Sequence, residues 1–200
     1  MTTNPSNSNG PSQLTYLLAT IDDAESLASL ISLAFRSEPT GQTWLFDSQE
    51  QRIEVATPEL VSQMIADPNV SMLIGHLPST PQEPVTTCYL RRPAPDPALE
   101  PHRTPGAAWL GFLCVVPAYH GNGYGKAQLD YAEQHVRDEW KVDALEIDYV
   151  GSRLQLAGWY ERCGYVATGK KRPFPYGEKG RQILAEGLEM LVLRKRLEAS

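Results

Sequence analysis

Between residues 110 and 135 the chain reads "LGFLCVVPAYHGNGYGKAQLDYAEQH". An apolar run stops at Pro117, then Gly121, Gly123 and Gly125 alternate with other residues, and helical periodicity follows. Glycines at such a junction let backbone N–H groups, aided by the positive end of the helix dipole, close on a phosphate without side chains in the way. A strand-to-helix turn that binds nothing can carry the same glycines. A GxxxxGK[ST] phosphate loop would need a glycine where His120 stands and a hydroxyl where Ala127 stands. A dinucleotide fingerprint would need GxGxxG near the first strand and an acidic residue after the next. Both motifs fail here. What remains is a possible pyrophosphate cradle made by the main chain of Gly121, Asn122, Gly123, Tyr124, Gly125 and Lys126.

Two further groups could carry acid–base chemistry. In "ALEIDYV", Glu146 and Asp148 alternate with Leu145, Ile147 and Tyr149, so both carboxylates project to one face of a strand. Either would also serve as a hydrogen-bonded or rim carboxylate. Tyr160 falls within a helical pattern whose periodicity alone makes it a core aromatic.

The elements that must position these groups can be read from periodicity and punctuation. "LTYLLAT" (Leu14 to Thr20) reads as a strand, and the Asp22/Glu25 spacing as a capping box for a helix carrying Leu27, Leu30, Ile31, Ala34 and Phe35. A second helix is predicted from Thr57 as N-cap with Pro58 at its first position, ending at Asp67-Pro68. Ser71 to Leu77 and Val85 to Arg91 read as an antiparallel pair joined by a turn-rich link. "PAPDPALEPHRTP" is too proline-dense for a central strand or a helix interior and reads as an extended surface loop. The strand Ala107 to Val116 leads into a helix with Leu129, Ala132, Val136 and Trp140 on its buried face. The strand Ala144 to Val150, a helix capped by Gly164, and the strands "GYVATG" and "LEMLVLRKRL" close the chain. The order predicts a mixed α/β sheet.

Composition narrows the partners. The 200 residues have 42% hydrophobic and 21% charged content, as in soluble globular proteins, and suffice for a single domain over residues 13–200. The net charge of −6 argues against nucleic acid as the main partner and is compatible with a cationic small substrate. Cys88, Cys114 and Cys163 show no metal-ligand spacing and read as reduced thiols, so no metal is expected and a cytoplasmic location is. No apolar run approaches a membrane span, and "MTTNPSNSNGPS" (residues 1–12) reads as a disordered tail rather than a signal peptide.

"LCVVPAYHGNGYGKAQL" resembles the coenzyme A-binding signature of the GNAT superfamily of acyl-CoA N-acyltransferases, a V-x-P strand end followed by Q/R-x-x-G-x-G/A. Val115 and Pro117 supply the strand end, and His120, Gly123 and Gly125 the later positions, with His120 where Arg or Gln is usual. "RLQLAGWYERCGYVATG" resembles the family's later block, through Tyr160, Glu161, Gly164 and Tyr165; Arg153 and Leu156 depart from it. "TGKKRPFP" matches a subset of members. The resemblance implies a mixed, mostly antiparallel central sheet with helices on both faces and two parallel central strands that splay apart. It also implies acetyl-CoA as cosubstrate and direct transfer of the acetyl group to a primary amine, expected to belong to a small molecule.

On that resemblance, main-chain groups near Leu113 and Val115 pair with the pantetheine arm, and Gly121 to Lys126 with His120 hold the pyrophosphate. Tyr160 protonates the departing sulfur. Where many members carry a basic Glu early on the central strand, this chain has Trp109. Asp148, nearer the C-terminal end of its strand than Glu146, is the better candidate base, directly or through water. The amine can also lose its proton to solvent with no dedicated base. Trp44, Phe46, Arg52, Phe174 and Tyr176 are candidates for the acceptor site. The competing expectations are an acyl-CoA-binding module of the same fold without catalysis, and an interaction protein using the proline-rich loop. The resemblance implies a monomer or a homodimer, as many relatives are.

Overall fold

The computed structural model describes residues 13–36, 56–96, 98, 100–174 and 188–198. The tail 1–12 and the acceptor-site candidates Trp44, Phe46, Arg52 and Tyr176 lie outside them.

Strand β1 (Thr15–Leu18) leads through a single tight turn into helix α1 (Ala24–Arg36). The cap is displaced from the Asp22/Glu25 frame expected from the sequence. Thr20 is extended, and the Asp23 carboxylate accepts its backbone N–H at 2.7 Å and its hydroxyl at 2.9 Å. Helix α2 (Pro58–Ala66) starts as expected, with the Thr57 hydroxyl accepting the Leu60 N–H at 3.2 Å, and leaves the helical conformation at Asp67. Strands β2 (Val70–His76), β3 (Pro84–Arg91) and β4 (Ala108–Val115) come next, then helix α3 (Tyr124–Asp138) and β5 (Ala144–Val150). Helix α4 (Leu154–Arg162) and strands β6 (Val166–Pro173) and β7 (Glu189–Arg196) complete the described fold.

The strands form one seven-stranded sheet in the order β1-β2-β3-β4-β5-β7-β6. All described neighbours are antiparallel except β4 and β5, which are parallel. The last strand therefore inserts between its two predecessors, and β6 lies at the edge.

The two faces are buried under different helices. Leu27, Ile31 and Val61 from α1 and α2 pack on Met72, Ile74 and Cys114. Leu129, Ala132 and Val136 of α3, with Tyr160 of α4, pack on Leu73, Leu90, Leu110, Leu145 and Ile147. Each such aliphatic side chain contributes roughly 1.5–3 kcal/mol by leaving water. A buried polar contact fixes α3 in place: the Thr86 hydroxyl donates to Gln128 Oε1 at 2.5 Å, and Gln128 Nε2 donates to Cys88 Sγ at 3.3 Å. No helix among the described residues is long and apolar enough to cross a membrane.

Candidate active site

The site begins with an irregularity in β4. Thr87 faces Cys114 and Tyr89 faces Gly111, so the single residue Cys88 opposes both Phe112 and Leu113. Phe112 takes a positive φ of 47°, and its ring is held edge-on by Phe35 of α1 and Tyr89 of β3, at centroid distances of 6.0 and 6.4 Å. Such a bulge bends a strand and re-aims the side chains beyond it. Before it, Ala108 and Leu110 face α3; after it, Cys114 faces α1.

The same point is where β4 leaves β5. Ala108, Trp109 and Leu110 pair with Leu145, Glu146 and Ile147, and the parallel pairing stops there. Beyond it, the edges of β4 from Gly111 and of β5 from Asp148 face each other without pairing.

Past the gap, β4 runs into the glycine junction. Pro117–Tyr119 make one tight turn, Gly121 and Gly123 both take φ near 80°, and Gly123 is the left-handed N-cap of α3. L side chains rarely adopt that conformation, which explains glycine at both positions. Gly125 is different: a Cβ there would meet Val115 Cγ2 at 3.5 Å and Trp159 Cζ2 at 3.8 Å, ordinary contacts. The fold has room for a methyl group at Gly125, so packing does not require its bareness. The N–H groups of Tyr124, Gly125 and Lys126 open the helix and have no carbonyl four residues back within it.

His120 and Asn122 hold this loop together. His120 Nε2 donates to the Val115 carbonyl at 2.9 Å, and Asn122 Nδ2 donates to the Tyr119 and His120 carbonyls at 3.1 and 3.2 Å. Lys126 pairs with Asp130 one turn along α3.

Tyr160 sits in the last turn of α4, which closes with the Tyr165 N–H on the Tyr160 carbonyl at 3.0 Å and Gly164 N–H on Glu161 at 2.9 Å. Gly164 has φ 91°, the left-handed cap expected from the sequence. The Tyr160 ring is 8% exposed and edge-on to Trp159 and Tyr165. Burial chiefly, with the nearby Cys114 and Asp148, pushes its phenol well above the ordinary tyrosine range. The hydroxyl therefore keeps its proton at neutral pH.

Asp148 and Glu146 lie on one face of β5, as alternation predicted, but in different surroundings. Asp148 is ion-paired with Arg172, which reaches over β7 from β6. Burial raises its pKa above the ordinary value, and the Arg172 charge opposes that rise. Glu146 is fully buried; Oε2 accepts the Thr104 N–H at 2.9 Å and Oε1 has no partner among the described residues.

Sequence reasoning missed the contribution of the proline-dense segment. Arg103 is only 6% exposed and donates to the Arg92 and Ala107 carbonyls, each at 3.1 Å, while pairing with Glu100. Lys170 donates to the Arg103 carbonyl at 2.7 Å. These bonds press the loop onto the sheet, with His102 edge-on to Trp109 and Arg103 over the same ring. A His and an Arg flanked by prolines were the available signal. Among the described residues, no three His, Cys, Asp or Glu side chains are grouped to hold a metal ion.

Known proteins share this architecture. No curated protein matches the chain. Among solved structures, the ribosomal-protein-S18-alanine N-acetyltransferase from Escherichia coli is 11% identical, with TM-score 0.62 and coverage of 94% of this chain and 96% of that one. The ribosomal-protein-alanine N-acetyltransferase from Brucella melitensis is 16% identical, with TM-score 0.63 and coverage of 92% and 100%. A spermidine N-acetyltransferase chimera from Vibrio cholerae and hSSAT is also 16% identical, with TM-score 0.61 and coverage of 93% and 96%. At these identities the likeness is one of fold. The sequence model of the acetyltransferase (GNAT) family matches residues 27–165, which span the bulged strand, the glycine junction and Tyr160. The chain belongs to the acetyltransferase (GNAT) family.

Proposed function

We propose that this acetyltransferase takes the acetyl group from acetyl-CoA and passes it directly to a primary amine of a small molecule. The observation that carries the reading is the parting of β4 and β5 at Leu110 and Ile147, two residues before the bulged Phe112 and on the strand that runs into the glycine junction. The unpaired strand edges offer main-chain groups, near Leu113 and Val115, to the amides of a pantetheine arm. The first-turn N–H groups of α3 suit the pyrophosphate, and the bareness of Gly125, not demanded by packing, leaves the approach open. His120 and Asn122 shape that loop through its carbonyls.

In this reading Tyr160 is the proton donor. It sits on the α3 and α4 side of the gap and protonates the sulfur as the carbon–sulfur bond breaks. Asp148, beside the gap on the other face, supplies negative charge that favours a cationic amine, while Arg172 limits its freedom to act alone as a base. The overall acidity of the chain and the spermidine named for one structural neighbour favour a small cationic acceptor.

The test is a thermal-shift titration with acetyl-CoA, followed by thiol release over a panel including spermidine, amino acids and an alanine-initiated peptide. We expect stabilisation by acetyl-CoA and thiol release with a small amine. Stabilisation without release on any amine would favour a non-catalytic acyl-CoA-binding module, for which Trp109 in place of a carboxylate is the motivating feature. Absence of stabilisation would remove both readings.

A further inference from the structure

We propose that His102, delivered by the proline-dense loop between β3 and β4, takes the proton from the attacking nitrogen of the acceptor amine. The inference rests on the acetyl-transfer reading above. A nitrogen that bonds to a thioester carbon becomes strongly acidic and needs a nearby acceptor for its proton. At the level where β4 and β5 part, the face that carries α1 and α2 presents Trp109 from β4, Glu146 and Asp148 from β5, and Arg172 from β6.

Two of these groups are already committed. Glu146 is sealed from solvent beneath the loop and bound by the Thr104 N–H. Asp148 is held by Arg172, with its side chain 9% exposed. His102 is partly buried, and its ring meets Trp109 edge-on at 5.6 Å and 87°. Among the described residues neither of its ring nitrogens makes a hydrogen bond. The segment that carries it is pinned immediately after the ring at Arg103 and Thr104, the Arg103 carbonyl being held by Lys170, so the ring is placed before substrate arrives.

The charges around the ring come from three directions. Arg172 faces it from β6, Asp148 from β5, and Glu100 and Arg103 from its own loop. Burial first, then Arg172, holds its proton affinity below that of an ordinary histidine, and Glu100 and Asp148 oppose them. The imidazole is thus neutral and able to accept. Asp148 acts electrostatically on both His102 and Tyr160.

The proton balance closes. The neutral amine nitrogen bonds to the carbonyl carbon, and its proton passes to His102. The carbon–sulfur bond breaks with its electron pair going to sulfur, which takes a proton from Tyr160. His102 then releases its proton to water, and Tyr160 recovers one from water.

The experiment compares wild type with His102→Gln, His102→Ala and Asp148→Asn, using the panel amine that gives the fastest thiol release. For His102→Gln we expect turnover to fall on the order of 10²-fold, with loss of the acidic limb of kcat/KM and an unchanged acetyl-CoA thermal shift. Added imidazole should restore part of the activity of His102→Ala. Asp148→Asn should keep the limb but move it to lower pH, because a negative charge near the imidazole has been removed. A slower His102→Gln enzyme that keeps its acidic limb, with no imidazole rescue of His102→Ala, would show that the ring only packs against Trp109 and would overturn the proposal. So would an unchanged turnover. Absence of thiol release by wild type on every amine would instead overturn the acetyl-transfer reading itself, and this proposal with it.

Discussion

Tyr160 and Asp148 show how surroundings distinguish groups that spacing could only nominate. The Tyr160 ring has the buried, edge-packed environment of any core aromatic, and that same burial keeps its phenol protonated. Phenylalanine retains the ring and its contacts with Trp159 and Tyr165 while removing the donor. Tyr160→Phe is therefore expected to lower the thiol-release turnover on the order of 10²-fold or more, with acetyl-CoA affinity by thermal shift unchanged. An unaltered turnover would take Tyr160 out of the mechanism. Asp148 had the right face and the right height on its strand, but nothing within "ALEIDYV" could reveal that Arg172, 24 residues on, would occupy it.

At the scale of the element, the junction between β4 and α3 separates glycines that the backbone needs from one that it does not. Gly123 caps α3 at φ 80°, where an L side chain costs roughly 1–2 kcal/mol. Gly125 lies inside the first turn, where a Cβ would make only ordinary contacts and alanine has a higher helix propensity by about 1 kcal/mol. Urea unfolding should show Gly123→Ala destabilised by about 1–2 kcal/mol and Gly125→Ala neutral or stabilised by up to about 1 kcal/mol. A destabilised Gly125→Ala would mean that packing, rather than access to the cradle, keeps that position bare. The bulge in β4 is an element-scale feature of another kind. It reverses which face each residue presents, so simple alternation along "AWLGFLCV" assigns Cys114 to the wrong side.

Across the whole molecule, stability should depend on pH through its histidines. Burial is the main cause that lowers the pKa of both His102 and His135, with Arg172 adding to it at the first and Arg92 at the second, and Glu139 opposing at His135. Above the ordinary histidine value both are neutral whether folded or unfolded, and they contribute no pH dependence. As pH falls through about 6.5, the unfolded chain binds protons that the folded chain resists, so stability declines. Urea midpoints measured from about pH 8 down to about pH 5 should fall across the histidine range, and a His102→Gln/His135→Gln double variant should flatten that fall. A wild-type midpoint constant over that range would contradict the burial assigned to these rings.

Local elements and the candidate cradle were legible in the amino-acid order alone. Periodicity, proline and glycine punctuation, and a V-x-P strand end before alternating glycines are short-range signals, readable wherever the residues that interact are close in the chain. The same signals placed Glu146 and Asp148 on one face and closed α4 at Gly164. Long-range contacts settled the remainder. The insertion of β7 between β5 and β6, the bulge at Phe112, the Arg172–Asp148 pair and the clasp that brings His102 against Trp109 all join residues through the sheet or across loops. Such contacts depend on which strands become neighbours, and strand order is set by the packing of the whole sheet under two helical layers. A proline-dense stretch read as surface loop is held against the sheet because Arg103 finds its carbonyls just past the end of β3 and just before β4.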